Sequence, residues 1–175
     1  MTPVGATVVA GLVLPSTAPL FLAGVGVHVA AGLACVVTGA LAMLSRKGRG
    51  RHPALGGVYF WSLAVVCASA AALASVRWAE DQLLFILAAV AFAAACLGRA
   101  AMRWRWPQGA RLHIAGMGGS YIVLLTAFYV DNGANLPVWK ALPPITYWLA
   151  PGLVGLPILL NALLRHPLAR RGVPP

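Results

Sequence analysis

Charged side chains are scarce in this chain: only 9% of its 175 residues are charged, 61% are hydrophobic, and its mean hydropathy is +0.84. A water-soluble domain usually has about a quarter of its residues charged. The scarcity of charge therefore argues against a soluble globular domain and predicts a chain embedded in the lipid bilayer. A chain of this length suits one compact unit, so we expect a single integral membrane domain over residues 1–175.

Acidic residues are the scarcest, with three against 13 basic residues. The sequence contains no paired carboxylates, no phosphate-binding loop and no Ser-His-Asp constellation. These absences argue against a hydrolase or a nucleotide-driven pump. They leave open whether the protein is an enzyme of another kind.

Cysteine is also rare, and its placement excludes two kinds of site. Cys35, Cys67 and Cys96 all lie in apolar runs and form no CxxC pair. We therefore expect neither a disulfide framework nor a zinc site. The first residues, "MTPVGATVVAGLVLPSTAP", lack a basic n-region, so we do not expect a cleaved signal peptide.

Eleven of the 13 basic residues fall into three clusters that separate apolar runs, and the acids lie between the clusters together with Arg77 and Lys140. A net charge of +10 can indicate nucleic-acid binding, but basic loops between apolar spans are better explained by the positive-inside rule. We therefore expect the lipid bilayer, and no nucleic acid, as the partner. The clusters are Arg46, Lys47, Arg49 and Arg51; Arg99, Arg103, Arg105 and Arg111; and Arg165, Arg170 and Arg171.

The apolar runs predict an all-α, polytopic membrane bundle of five transmembrane helices, each near the roughly twenty residues that a bilayer requires. The basic loops place the amino terminus outside and the carboxyl terminus in the cytoplasm of a bacterial inner membrane. Pro151 and Pro157 are expected to kink the fifth span, which would lie outside a four-helix core. The predicted spans are 19–44, 54–76, 82–102, 112–131 and 145–164.

One phrase occurs twice, as "RHPALGGVYF" at 51–60 and "RLHIAGMGGSYI" at 111–122. The offset between the copies is 61 positions, from Cys35 to Cys96 and from His52 to His113. Each copy predicts a hairpin with a histidine at the cytoplasmic start of its outward span. The two hairpins are either a duplication about an axis along the membrane normal or a chance similarity of Ala- and Gly-rich sequence.

In an up-down-up-down bundle, His52 and His113 would face each other at one depth, above Gly56 and Gly116. Two histidines so placed can ligate a haem b iron axially, or hold another metal, a quinone or a lipid headgroup. The same histidines are otherwise ordinary interfacial residues. The candidate cofactor-binding residues are His52, His113, Met117, Tyr59 and Tyr121, with His52 and His113 as the metal ligands.

A second polar group is predicted deeper in the membrane. His28 lies about 24 Å from the cytoplasmic boundary at 1.5 Å per residue, on one helix face with Cys35. Asp131 reaches a similar depth on the fourth span. Since an unpartnered polar group in lipid is costly, we expect His28 to be buried against a partner on that span. Asp131 is the first choice, and a backbone carbonyl or Tyr129 is the alternative.

The segments "HIAGMGGSYIVLLTAFYVDNGANLP", "LPPITYWLAPGLVGLP" and "RHPALGGVYF" resemble small bacterial membrane proteins of unknown function, from about His28 onward. The histidines on several helices are also loosely similar to the cytochrome b561-like membrane bundles. That resemblance implies haem, but two haems there need two histidine pairs. Here His28 has no second histidine at its level, so at most one haem is supported.

Three functions remain open at this point. The first is a redox protein with a b-type haem between His52 and His113, serving a quinone or another redox partner. The second is a small proton-coupled transporter that uses His28, Asp131 and Tyr121. The third is an accessory or structural membrane subunit.

Overall fold

Five long α-helices dominate the fold, and each is long and apolar enough to cross a membrane. The computed structural model describes residues 7–9, 12–14, 19–48, 50–76 and 78–165. The predicted number of long, apolar helices is confirmed among the described residues. The helices are α1 Pro19–Leu44, α2 Arg51–Val76, α3 Trp78–Arg103, α4 Gly109–Asn132 and α5 Ile145–Arg165.

Three helices begin earlier than the apolar runs predict. They start at Arg51, Trp78 and Gly109, three or four residues before the predicted positions. The bilayer limits the length of the apolar stretch, whereas helical hydrogen bonding continues into polar flanks. The early start of α2 places His52 inside a helix, whereas His113 already lies within the predicted fourth span.

A short β-hairpin, which the sequence analysis did not predict, precedes the helices. Strand β1 (Thr7–Val9) pairs antiparallel with β2 (Leu12–Leu14), with Val8 opposite Val13. Four of its six residues are Val or Thr, which favour strands because they are β-branched. Three paired residues per strand are too few to produce the longer alternation by which a strand is recognised in sequence.

The chain divides into two compact units, residues 1–82 and residues 83–175. In the first unit α1 and α2 form an antiparallel hairpin, because residues late in α1 contact residues early in α2. Cys35 and Leu63 are fully buried in it. Gly48 and Gly50, with φ of 141° and 111°, turn the chain between the helices in a conformation that favours glycine.

In the second unit a five-residue connection folds α3 tightly onto α4. The Trp106 amide donates to the Ala101 carbonyl at 3.0 Å, and the Gly109 amide donates to the Trp106 carbonyl at 2.9 Å. Further along, a Cβ on Gly116 would lie 2.5 Å from the Ala94 carbonyl oxygen. Helices α3 and α4 therefore cross with their backbones in direct contact, as small residues in membrane helices permit.

Helix α5 packs antiparallel on α4 after two 3₁₀ turns, Gly133–Asn135 and Trp139–Ala141. It continues through Pro151 and Pro157, each of which lacks the N–H that would close a helical hydrogen bond. The bend predicted at these prolines stays a prediction. So do the single membrane domain and the four-helix core.

Candidate functional site

His52 is anchored through its Nδ1 nitrogen to the end of α1. It lies in the first turn of α2, partly buried, with Nδ1 2.9 Å from the Ala42 carbonyl oxygen. A carbonyl can only accept a hydrogen bond, so Nδ1 carries the proton. Because Ala42 belongs to the last turn of α1, its carbonyl has no helical donor, and the imidazole supplies one.

Two other side chains cap the same helix end. Ser45 Oγ has one hydrogen and donates it to the Leu41 carbonyl at 2.9 Å or to the Ala42 carbonyl at 3.0 Å. Lys47 Nζ donates to the Ala42 carbonyl at 3.1 Å and to the Met43 carbonyl at 2.7 Å. A cation is favoured at this negative end of the helix dipole. Partial desolvation lowers the pKa of the Lys47 ammonium. The His52 ring is therefore held in a polar setting where α1 ends.

His113 is anchored in the same way, on the second unit. Its Nδ1 lies 3.1 Å from the Gly98 carbonyl oxygen of α3, and the ring is partly buried. The contact depends on the close helix crossing, because a Cβ on Gly98 would lie 3.2 Å from both the His113 carbonyl oxygen and Gly116 Cα. Nδ1 again carries the proton, since its partner is a carbonyl.

The two histidines of the repeated phrase thus share one hydrogen-bonding pattern: Nδ1–H donates to a backbone carbonyl of the preceding helix. In a neutral imidazole the lone pair then lies on Nε2. Metal-ligating histidines commonly have this arrangement, in which the second nitrogen is fixed by a carbonyl or carboxylate. His52 and His113 belong to different units, and their pairing stays a prediction.

The glycines expected below the two histidines differ. Gly116 lies in the close crossing described above. At Gly56, by contrast, a Cβ would meet no described atom within 4 Å. Glycine alone does not specify close approach, since a neighbouring backbone must also be within reach.

His28 has a polar partner on α2, which the sequence analysis did not anticipate. Its Nδ1 lies 2.9 Å from Ser69 Oγ. The Ser69 hydroxyl also lies 2.7 Å from the Val65 carbonyl oxygen and 3.0 Å from the Val66 carbonyl oxygen of its own helix. When its one hydrogen goes to either carbonyl, Ser69 accepts from His28 Nδ1–H, and in the other tautomer of His28 it donates to Nδ1. The proposed contact between His28 and Asp131 spans the two units and stays a prediction.

The remaining candidate residues differ in how far their side chains are exposed. Tyr59 is 2% exposed, and its carbonyl accepts a weak hydrogen bond from Cys35 Sγ at 3.7 Å. Met117 and Tyr121 are partly buried on α4, where the neighbouring Ser120 is fully buried. Asp131 is exposed near the end of α4 and accepts a hydrogen bond from Asn132 Nδ2 at 3.2 Å.

An aromatic cluster at the connection of α4 and α5 was missed. The rings of Tyr129 and Trp139 lie 4.2 Å apart, Tyr147 lies 6.4 Å from Trp139, and its hydroxyl donates to the Trp139 carbonyl at 3.2 Å. The 3₁₀ turns that bring Trp139 onto Tyr129 have no clear sequence signal.

Among the described residues, no group of three or more His, Cys, Asp and Glu side chains could hold a metal ion. A bis-histidine haem needs only two protein ligands, so this finding does not test that arrangement. No family model matches the chain, and neither a curated protein nor a solved structure is similar to it.

Proposed function

We propose that this protein is an integral membrane redox protein that binds one b-type haem between His52 and His113. The observation that carries the proposal is the shared Nδ1–H bond to a backbone carbonyl, at 2.9 Å for His52 and 3.1 Å for His113. This bond selects the tautomer whose Nε2 can ligate iron. The same bond occurs in both copies of the phrase, which supports a shared role for the two histidines.

The residues of the chain would do three things for such a group. His52 and His113 would hold the iron through Nε2, and the Ala42 and Gly98 carbonyls would fix the ring orientations. Met117, Tyr59 and Tyr121 would line the surroundings and limit access of water. When bound, a haem b supplies one-electron exchange between ferric and ferrous iron, with a quinone or a redox protein as the partner.

The visible spectrum of the purified wild-type chain tests this proposal. Expressed with a haem precursor and purified in a mild detergent, the protein is expected to show a Soret band that shifts on reduction, with about one haem per chain because one histidine pair is available. A colourless protein from cells in which a control cytochrome b is fully loaded would overturn the proposal.

The membrane orientation is part of the same proposal. The basic clusters are placed in the cytoplasm, and the three acids outside, by the positive-inside rule. The connection of α3 to α4 would then be cytoplasmic, and the connection of α4 to α5 external. The bacterial inner membrane is the proposed location.

Cysteine labelling at Pro107 and Asn135 tests the orientation. Both residues are exposed, uncharged and on opposite ends of α4, so their substitution leaves the charge pattern intact. In intact cells a membrane-impermeant maleimide is expected to label Asn135→Cys and to reach Pro107→Cys only after lysis. The parent with its native cysteines is the control, and external labelling of Pro107→Cys would refute the orientation.

A further inference from the structure

A groove between the start of α4 and the end of α5 combines a leucine-rich wall with basic residues at one end. It has a volume of about 480 Å³. Its lining contains Arg111 as its one charged side chain, together with Leu112, Ala115, Leu160, Leu163 and Leu164. Leu160 and Leu164 are 55% and 70% exposed. The groove is therefore open along its side, with its cation at one end.

The register of the helix pair brings a second cation to the same end. A Cβ on Gly118 would meet Leu159, and a Cβ on Gly155 would meet Ile122, so the helices run antiparallel in this register. Extended toward the start of α4, the register places Arg111 beside the last turn of α5, which ends at Arg165.

No acidic residue of the second unit lies close in sequence to Arg111 or Arg165. Asp131 is the single acidic residue between positions 83 and 175. It lies twenty residues along α4 from Arg111, or about 30 Å at 1.5 Å per residue. The two arginines therefore give this end of the groove a net positive charge, which favours an anionic ligand.

We infer that this groove binds an anionic phospholipid, with the phosphate at Arg111 and Arg165 and one acyl chain along the leucines. The inference rests on the membrane location proposed above but not on haem binding. An acyl chain matches the apolar wall, and arginine pairs with phosphate through charge-assisted hydrogen bonds. Basic pockets between membrane helices on the cytoplasmic side are a known setting for anionic lipid headgroups.

Native mass spectrometry of the purified protein with equal amounts of dioleoylphosphatidylglycerol and dioleoylphosphatidylcholine tests the inference. The wild type is expected to retain the anionic lipid preferentially, and Arg111→Gln to weaken its binding roughly tenfold, as loss of a charge-assisted contact implies. Arg103→Gln is the matched control, because it removes the same charge from an exposed position outside the groove. It is expected to keep the preference.

A second variant separates the groove from general charge attraction. Ala115→Phe fills the groove without changing the charge and is expected to reduce retention of the anionic lipid at least fivefold. Equal retention of both lipids by the wild type would overturn the inference. So would an effect of Arg103→Gln as large as that of Arg111→Gln, which indicates attraction to the surface alone. A colourless protein that still shows the preference would separate this inference from the haem proposal.

Discussion

His52→Ala and His113→Ala are each expected to lose at least nine-tenths of the haem-derived absorbance while the helices stay inserted. Each substitution removes an axial nitrogen, and alanine offers no replacement ligand. The loss of the bond to Ala42 or Gly98 costs only about 1 kcal/mol of folding free energy, so the helical content is expected to persist. Visible spectroscopy gives the haem content, and circular dichroism with membrane fractionation confirms that the chain is folded and inserted.

His28→Ala is the matched control for these two variants. It removes one histidine whose Nδ1 is also hydrogen-bonded, in this case to the Ser69 hydroxyl. Because His28 lies at another depth, its loss is expected to leave the spectrum unchanged. If the His52 and His113 variants both keep the wild-type spectrum, the repeated phrase is a feature of packing and topology alone.

Gly116→Ala is expected to lower the free energy of unfolding of the second unit by about 1–3 kcal/mol, the usual effect of overpacking. The added methyl would lie 2.5 Å from the Ala94 carbonyl oxygen and 2.8 Å from Gly98 Cα. Both are backbone atoms, so relief requires that the two helices separate. Separation also lengthens the bond from His113 to the Gly98 carbonyl, and we expect weaker haem retention as a result.

Thermal or denaturant unfolding in detergent, followed by circular dichroism, measures the effect. Gly119→Ala is the matched control on the same helix, since a Cβ there would meet no described atom within 4 Å. It is expected to be neutral or slightly stabilising, because alanine loses less backbone entropy than glycine. Equal stability of the two variants would contradict the close crossing of α3 and α4.

The sequence predicts the number of helices well because each span must be apolar over the thickness of a bilayer. It predicts helix starts less well, since Arg51 and Gly109 lie outside the apolar runs yet continue the helical hydrogen bonding. It also identifies His52 and His113 as equivalent. Their carbonyl partners depend on helix register, which a single sequence does not specify.

The partner of His28 illustrates the same limit. Ser69 lies in an Ala-rich run, and the sequence alone does not distinguish it from the other small residues there. Only the antiparallel register of α1 and α2 brings it within 2.9 Å of the imidazole. The difference between Gly56 and Gly116 has the same origin, because a glycine is informative only when the neighbouring helix is known.

The helix pairs α1–α2, α3–α4 and α4–α5 are neighbours in the chain, and this locality affects folding during synthesis. Contacts that are local in sequence form quickly, because little loop-closure entropy opposes them. The hairpin of α1 and α2 contains both members of its polar pair, His28 and Ser69. As soon as α2 has left the ribosome, this hairpin can pair its own polar groups without waiting for the rest of the chain.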